Sequence, residues 1–313
     1  MFSRSVYRIL ESLGVLFLVS FFVFSIAKII PGDLALQLTG VDGATKENIA
    51  RVRLELGLDK PFYLQFWNWL TEVLRGDFGV SPLSNRSIWT DVHAALPVSL
   101  QLAAFALLFS VTLGTPIGII AAVYSTSRIG QAIRTGLIVI LSIPSFVIGA
   151  LLVYFSSRYF PSLFRSLYVR ITEDLGENLR VMTLPTIALG LALAGVIAQV
   201  TRNAVVQELN QTYVTTARAY GLPGRTIVLV YALRGAIVQI LTVAALLFGS
   251  IVGGTVITER VFSLPGLGNL MVRAIGNRDF NLAIVAILFV TLTYLILNTL
   301  VDILAERLDP RSK

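Results

Sequence analysis

Residues able to do chemistry are few in this chain. Its 313 residues include no cysteine and a single histidine, His93, which excludes disulfides, thiolate metal sites and cysteine nucleophiles. His93 lies in a loop just before an apolar segment, has no partner histidine, and reads as structural or solvated. The sequence contains no GxxxxGK[ST] phosphate loop, no HExxH, and neither a GxSxG nor a Ser-x-x-x-Lys-type nucleophile pattern. The chain is therefore not expected to hydrolyse ATP or to cleave bonds in the membrane. What remains is the stretch 215–235, TTARAYGLPGRTIVLVYALRG, which carries Arg218, Arg225 and Arg234 and no acid. Such a stretch can bind anions, and lipid, nucleic acid and a protein partner all qualify.

The elements that must position it are apolar. Hydrophobic residues make up 55% of the chain and charged residues 14%, with a mean hydropathy of +0.79. That is more apolar side chain than a soluble domain of this size can bury. Six segments are long and apolar enough to span a bilayer: 9–30, 97–123, 132–157, 183–205, 236–258 and 281–303. The net charge of +7 fits basic cytoplasmic loops, and no basic patch with interleaved aromatics points to nucleic acid. An even number of spans puts both termini on one side. Arg4 and Arg8 precede the first apolar run, which the bulky Phe21, Phe22 and Phe24 mark as an uncleaved span rather than a signal peptide.

Lys and Arg divide almost evenly between the two sides, whereas acids gather on one. Asp33, Asp42, Glu47, Glu55, Asp59, Glu72, Asp77, Asp91, Glu173, Asp174, Glu177, Glu259 and Asp279 all fall in loops of the same side. The opposite side, with Arg128, Arg134, Arg202 and the 215–235 stretch, reads as cytoplasmic. The domain reading is a first span over 1–30, an extracytoplasmic helical segment over 31–96, a five-helix core over 97–303 with a cytoplasmic segment over 206–235, and a cytoplasmic end over 304–313. Within 31–96, Ile49, Val52 and Leu56 form one face of a short helix. Tyr63, Phe66, Trp67, Leu70 and Leu74 form the apolar side of another, which would either rest on the membrane surface or, the preferred reading, pack as a small cap.

The span interiors lack ionisable groups, with Lys28, Arg202 and Asp302 near ends. That argues against a proton- or sodium-coupled carrier. Small residues and prolines are frequent instead: Gly114 and Gly118 around Pro116, Ser142, Pro144 and Ser145 in SIPS, Gly190 and Gly195, and Gly249, Gly253 and Gly254. They read as close helix packing or as places where helices bend around a path. In the basic stretch a helix over 211–220 has Tyr213, Ala217 and Tyr220 on one side and Arg218 on the other. Gly221 ends it through a positive φ, Pro223 sets the next turn, and a second helix starts near Gly224. Two uses stay open here, an interfacial helix whose arginines meet anionic lipid and a docking helix for a cytosolic partner.

These residues resemble the inner-membrane permease subunits of binding-protein-dependent ABC importers, of the dipeptide, oligopeptide and nickel class. That family's cytoplasmic signature reads approximately EAA, three residues, glycine, nine residues, then I-x-L-P. Ala217, Gly221 and Leu233 match it, whereas Thr215, Thr216, Tyr231 and Arg234 depart. Peptide-class members drift toward Y-V-R-T-A-R-A-K-G-L and A-L-R-N-A, to which 213–222 (YVTTARAYGL) and 232–236 (ALRGA) are similar. The likeness extends through Pro31-Gly32-Asp33, LGLDKP at 56–61, GDFG at 76–79, SIPSF at 142–146, ERVFSLPGLG at 259–268, Arg278-Asp279-Phe280 and LDPR at 308–311.

The resemblance implies an all-α polytopic protein with six transmembrane helices, the type I importer permease architecture, in a bacterial or archaeal cytoplasmic membrane with both termini cytoplasmic. It implies a second homologous permease subunit, two cytosolic ATPases that use ATP and Mg, an extracytoplasmic solute-binding protein, and no cofactor, metal or nucleic acid on this chain. Tyr213, Ala217, Arg218, Gly221, Leu222, Pro223 and Arg225 would couple to an ATPase. Gly114, Pro116, Ser142, Pro144, Ser145, Gly249 and Gly253 would line the path or let helices flex. Peptide is the implied cargo, with nickel, glutathione or oligosaccharide as alternatives. A membrane scaffold and a self-powered carrier are the more distant readings.

Overall fold

The structure, a computed structural model, describes residues 2–29, 45–55, 59–161 and 167–308. Pro31-Gly32-Asp33, Leu56 and the final residues of LDPR lie outside the described residues, as do the side chains of Val52 and Asp302. The described residues form helices and turns, with no strand beyond an isolated bridge between Val80 and Ser87. They fall into two units, Met1–Val98 with Pro265–Thr293, and Ser99–Leu264 with Tyr294–Lys313.

The first unit begins with α1 (Phe2–Ile29), α2 (Lys46–Glu55) and α3 (Phe62–Leu74). α1 is helical over Phe2–Ile29, and Leu10–Ile26 is its apolar stretch among the described residues. The amphipathic α3 packs, though through a different stripe from the one its sequence suggested. Phe66, Trp69, Leu70 and Val73 meet Phe24 and Leu16, whereas Tyr63, Trp67 and Leu74 are exposed. The buried set follows the i, i+3, i+4, i+7 row anchored on Phe66. Phe66 lies edge-on to Phe21 and Phe24, with centroids 5.3 and 5.6 Å away. Burying such a ring contributes about 2–3 kcal/mol.

The rest of this unit uses the start of α4 (Ile88–Val123), α11 (Leu267–Gly276) and the start of α12 (Phe280–Leu308). α4 begins ahead of the expected span, so His93 is on a helix rather than in a loop, exposed with its ring 5.6 Å from Trp89. Ile88, Val92, Leu267, Leu270 and Val285 build the core there.

The second unit contains most of α4, then α5 (Arg128–Ser142), α6 (Ser145–Tyr159), α7 (Leu175–Leu209), α8 (Thr212–Ala219), the short α9 (Gly224–Thr226), a π-helical turn (Ile227–Ala232) and α10 (Leu233–Val261). Asp174 caps α7 by accepting the Glu177 N–H at 3.0 Å. α7 is the central helix, with 67% of its apolar window buried against 28–39% for the other long ones. Glycines bring α4 onto it. A β-carbon at Gly114 would lie 2.6 Å from the Ala194 carbonyl oxygen, and one at Gly118 would lie 2.5 Å from that of Ala198. Only glycine permits that approach.

Among the described residues four helices are each long and apolar enough to cross a membrane, and α5 with α6 passes the same test only as a pair bent by 92°, the geometry of a broken span or a re-entrant loop. The bend is SIPS. Ile143 leaves the helix at ψ 119°, its N–H reaching Ile140, and Pro144 has ψ 138° and opens α6. Proline disfavours helical backbone before it, so the two residues make a corner.

Candidate functional site

α8 is a short helix held at its base by apolar contact. Val214 and Ala217 are buried against Ile227, with Leu209 and Leu222 packed around them. Of the three residues that share one side in the sequence, Ala217 is buried whereas Tyr213 and Tyr220 are exposed, Tyr220 by 83%. A helix this short has two inward positions, and a single turn of periodicity could not choose between 213/217/220 and 214/217.

The helix ends in a Schellman turn. The Gly221 N–H reaches the Arg218 carbonyl at 2.9 Å and the Leu222 N–H reaches that of Ala217 at 3.2 Å, with Gly221 at φ +74°. Leu222 supplies the apolar contact that accompanies this turn. Pro223, at φ −64° and ψ 142°, then opens the next helix. The glycine is required for its conformation alone, since nothing lies within 4 Å of a β-carbon there.

Beside this corner Glu208, near the end of α7, accepts a hydrogen bond from the Tyr213 hydroxyl. Desolvation, and then the neighbouring carboxylate, push the Tyr213 phenol up to about 12. The same carboxylate lies over Gly235, where a β-carbon would approach its Oε2 to 2.6 Å. Glycine at 235, a departure from the peptide-class pattern, therefore makes room for Glu208. Between the corner and α10, the Leu233 N–H reaches the Val228 carbonyl, the i+5 bond of a π-helix.

Three other motifs are the same turn in different residues. GDFG ends α3 with Gly76 at φ +84°, VFSL ends α10 with Ser263 at φ +54°, and NRDF ends α11 with Arg278 at φ +60°. Each shows the paired backbone bonds, Asp77 to Glu72, Leu264 to Glu259 and Asp279 to Ala274. Asp279 then caps α12, accepting the Leu282 N–H at 3.1 Å and the Ser81 hydroxyl at 2.5 Å.

The remaining candidates are spread through the second unit. Gly114 is a helix contact, as above, and Pro116 is exposed on the same helix. Ser142 donates to the Ile138 carbonyl at 2.8 Å, and Pro144 and Ser145 flank the 92° bend. Gly249 packs against the Asn298 carboxamide, whereas Gly253 and Gly254 face open space.

Two acids taken as loop charges are buried. Glu259 is within α10, fully buried, and accepts the Ser99 hydroxyl at 2.6 Å; Asp279 is the cap just described. Sequence alone also missed a polar knot in which Asn178, fully buried, exchanges hydrogen bonds with Gln101. The Tyr168 hydroxyl donates to Gln101 at 3.0 Å, and burial raises the Tyr168 phenol above its usual range. Glu259, between Thr258 and Arg260, gave no local signal of its burial, and neither did the lone amide in each of two helices.

Residues 114–313 match the family model for the binding-protein-dependent transport system inner membrane component, and residues 1–103 match that of its N-terminal region. The chain belongs to this family. A probable peptide ABC transporter permease of Sinorhizobium fredii is 33% identical to the permease, with 97% of each chain covered. A putative peptide transport system permease of Brucella suis is 34% identical over 97% of this chain and 96% of its own. A glutathione transport system permease of Salmonella choleraesuis is 33% identical over the same shares. The crystal structure of an amino acid ABC transporter shares the fold, with a TM-score of 0.51 over 70% of this chain and 94% of that one at 18% identity. The permease is thus an all-α multi-pass component of an ABC import system of the inner membrane, one that works with a binding protein and an ATPase.

Proposed function

We propose that the permease is a non-catalytic pore subunit of an ATP-driven peptide importer, paired with a homologous permease subunit and served by two cytosolic ATPases and one extracytoplasmic binding protein. ATP and Mg act on the ATPases. Both termini and α8 face the cytosol, 31–96 faces outward, and the 97–303 core carries the path. Peptide is the cargo that the names of the relatives favour, and glutathione, itself a peptide, is the next candidate.

The observation that carries this reading is the Gly221 corner. Val214, Ala217 and Leu222 hold α8 against Ile227, leaving Thr215, Thr216, Ala219 and Tyr220 exposed for an ATPase groove. Pro223 and the helix from Gly224 carry any displacement into α10. Tyr213 and Arg218 flank the docking face, and Arg225 lies past the turn. Pro116, the bend at Ser142, Pro144 and Ser145, and the open side of Gly253 supply flexing points, while Gly114 and Gly249 keep helices close. Nucleotide binding moves such a system only by favouring one of its two states.

The test is to reconstitute the importer and replace Tyr220 with Asp. Retained membrane insertion with loss of ATPase co-purification and of peptide uptake supports the reading. Unchanged ATPase association and uptake in that variant would exclude α8 as the docking element.

A further inference from the structure

The second unit contains a cleft of about 650 Å³ beneath the coupling corner. Its walls are apolar side chains from three elements, among them Ile120 and Val123 of α4 and Leu229 of the π-helical turn. Its polar lining is Tyr124, Arg218 and Arg225, and no acidic side chain lines it. Both arginines are exposed, and neither joins an ion pair among the described residues. Two guanidiniums and a phenol beside an apolar slot match one occupant, an amphiphile with an anionic head and hydrocarbon tails. Guanidinium pairs with phosphate oxygens bidentately and holds its charge at any pH the protein meets.

We infer that this cleft binds one anionic phospholipid, its phosphate between Arg218 and Arg225 and a tail against Ile120, Val123 and Leu229. Charge complementarity selects the anionic head, and the apolar walls select a lipid over a free phosphate. The site goes beyond the coupling reading and does not depend on it. It makes the two uses left open by the sequence compatible, because the arginines meet lipid while Tyr220 and Thr216 remain for the ATPase. The lipid would bridge α8, the π-helical turn and the end of α4, so that the corner rests partly on the bilayer.

The test uses the assembled importer in detergent without nucleotide, titrated with phosphatidylglycerol or phosphatidylcholine of the same acyl chains, with retained lipid counted by native mass spectrometry. Wild type should retain one phosphatidylglycerol in preference to phosphatidylcholine. The double variant R218Q/R225Q should weaken that retention about tenfold or more, and V123W, which fills the slot, should weaken it with both arginines intact. R202Q, outside the cleft, should leave it unchanged. Equal retention of the two lipids, or retention surviving in R218Q/R225Q, overturns the proposal. So does full competition by glycerol phosphate, which would mark a site for soluble phosphate. ATPase co-purification in the same samples reports coupling separately, so failure of either reading is seen by itself.

Discussion

The corner at Gly221 and the corner at Arg278 end their helices with the same pair of backbone hydrogen bonds, and they diverge one residue later. After Gly221 comes Leu222, held by apolar contact alone, then Pro223, exposed and bonded through no side chain. After Arg278 comes Asp279, 3% exposed, which grips Ser81 at 2.5 Å and the Leu282 N–H at 3.1 Å. One turn is fastened by directional bonds in a buried setting and the other by a small greasy contact at the surface. The first suits an element that must keep its place, and the second suits an element that must transmit force and release a partner. The same backbone geometry thus serves anchorage or motion according to what its next side chain can bond.

Breaking the fastened corner should have the largest effect. Asp279→Ala removes a cap and strands the buried Ser81 hydroxyl, a loss of about 3 kcal/mol, read as a lower unfolding temperature and reduced yield of purified importer. Gly221→Val comes next, since a β-branched residue at φ +74° costs about 2 kcal/mol. Its signature differs: insertion persists while peptide uptake falls about tenfold or more, and Gly221→Asn, which tolerates that φ, restores much of it. The reverse change sharpens the comparison, because Arg278→Gly relieves a left-handed non-glycine residue and should stabilise the protein by about 0.5–1 kcal/mol.

The smallest effect concerns pH. The Tyr213 phenol is raised from 10.0 to about 12, so the folded state holds that proton more tightly than the unfolded one. Its contribution is complete below pH 10 and fades as pH rises toward 12. The phenolate absorbance difference between wild type and Tyr213→Phe should titrate near the upper value, and Gly235→Val, which displaces Glu208, should return it toward the lower one.

Much of this was legible beforehand because it rests on backbone rules. Gly221 with Pro223 announced a corner, SIPS announced a break, and apolar length marked the four long helices. What stayed hidden depended on partners distant in sequence. Glu259 counted as a loop charge because nothing local shows Ser99 across from it, and Asp279 did so because its acceptor role requires Ser81. The buried stripe of α3 was misread for a related reason: in a short helix crowded with aromatics, several stripes fit the period, and only the neighbouring helix decides which is buried. Gly114 and Gly118 were visible as a pair, but their closeness to Ala194 and Ala198 was not.

That closeness has a mechanical meaning. Two rods that touch along their backbones, with no side-chain cushion between them, bend together as one thicker beam, and a beam's resistance to bending climbs steeply with its thickness. Any displacement of α7 at Ala194 and Ala198 meets the α4 backbone directly, with no side chain between them to take it up by changing rotamer.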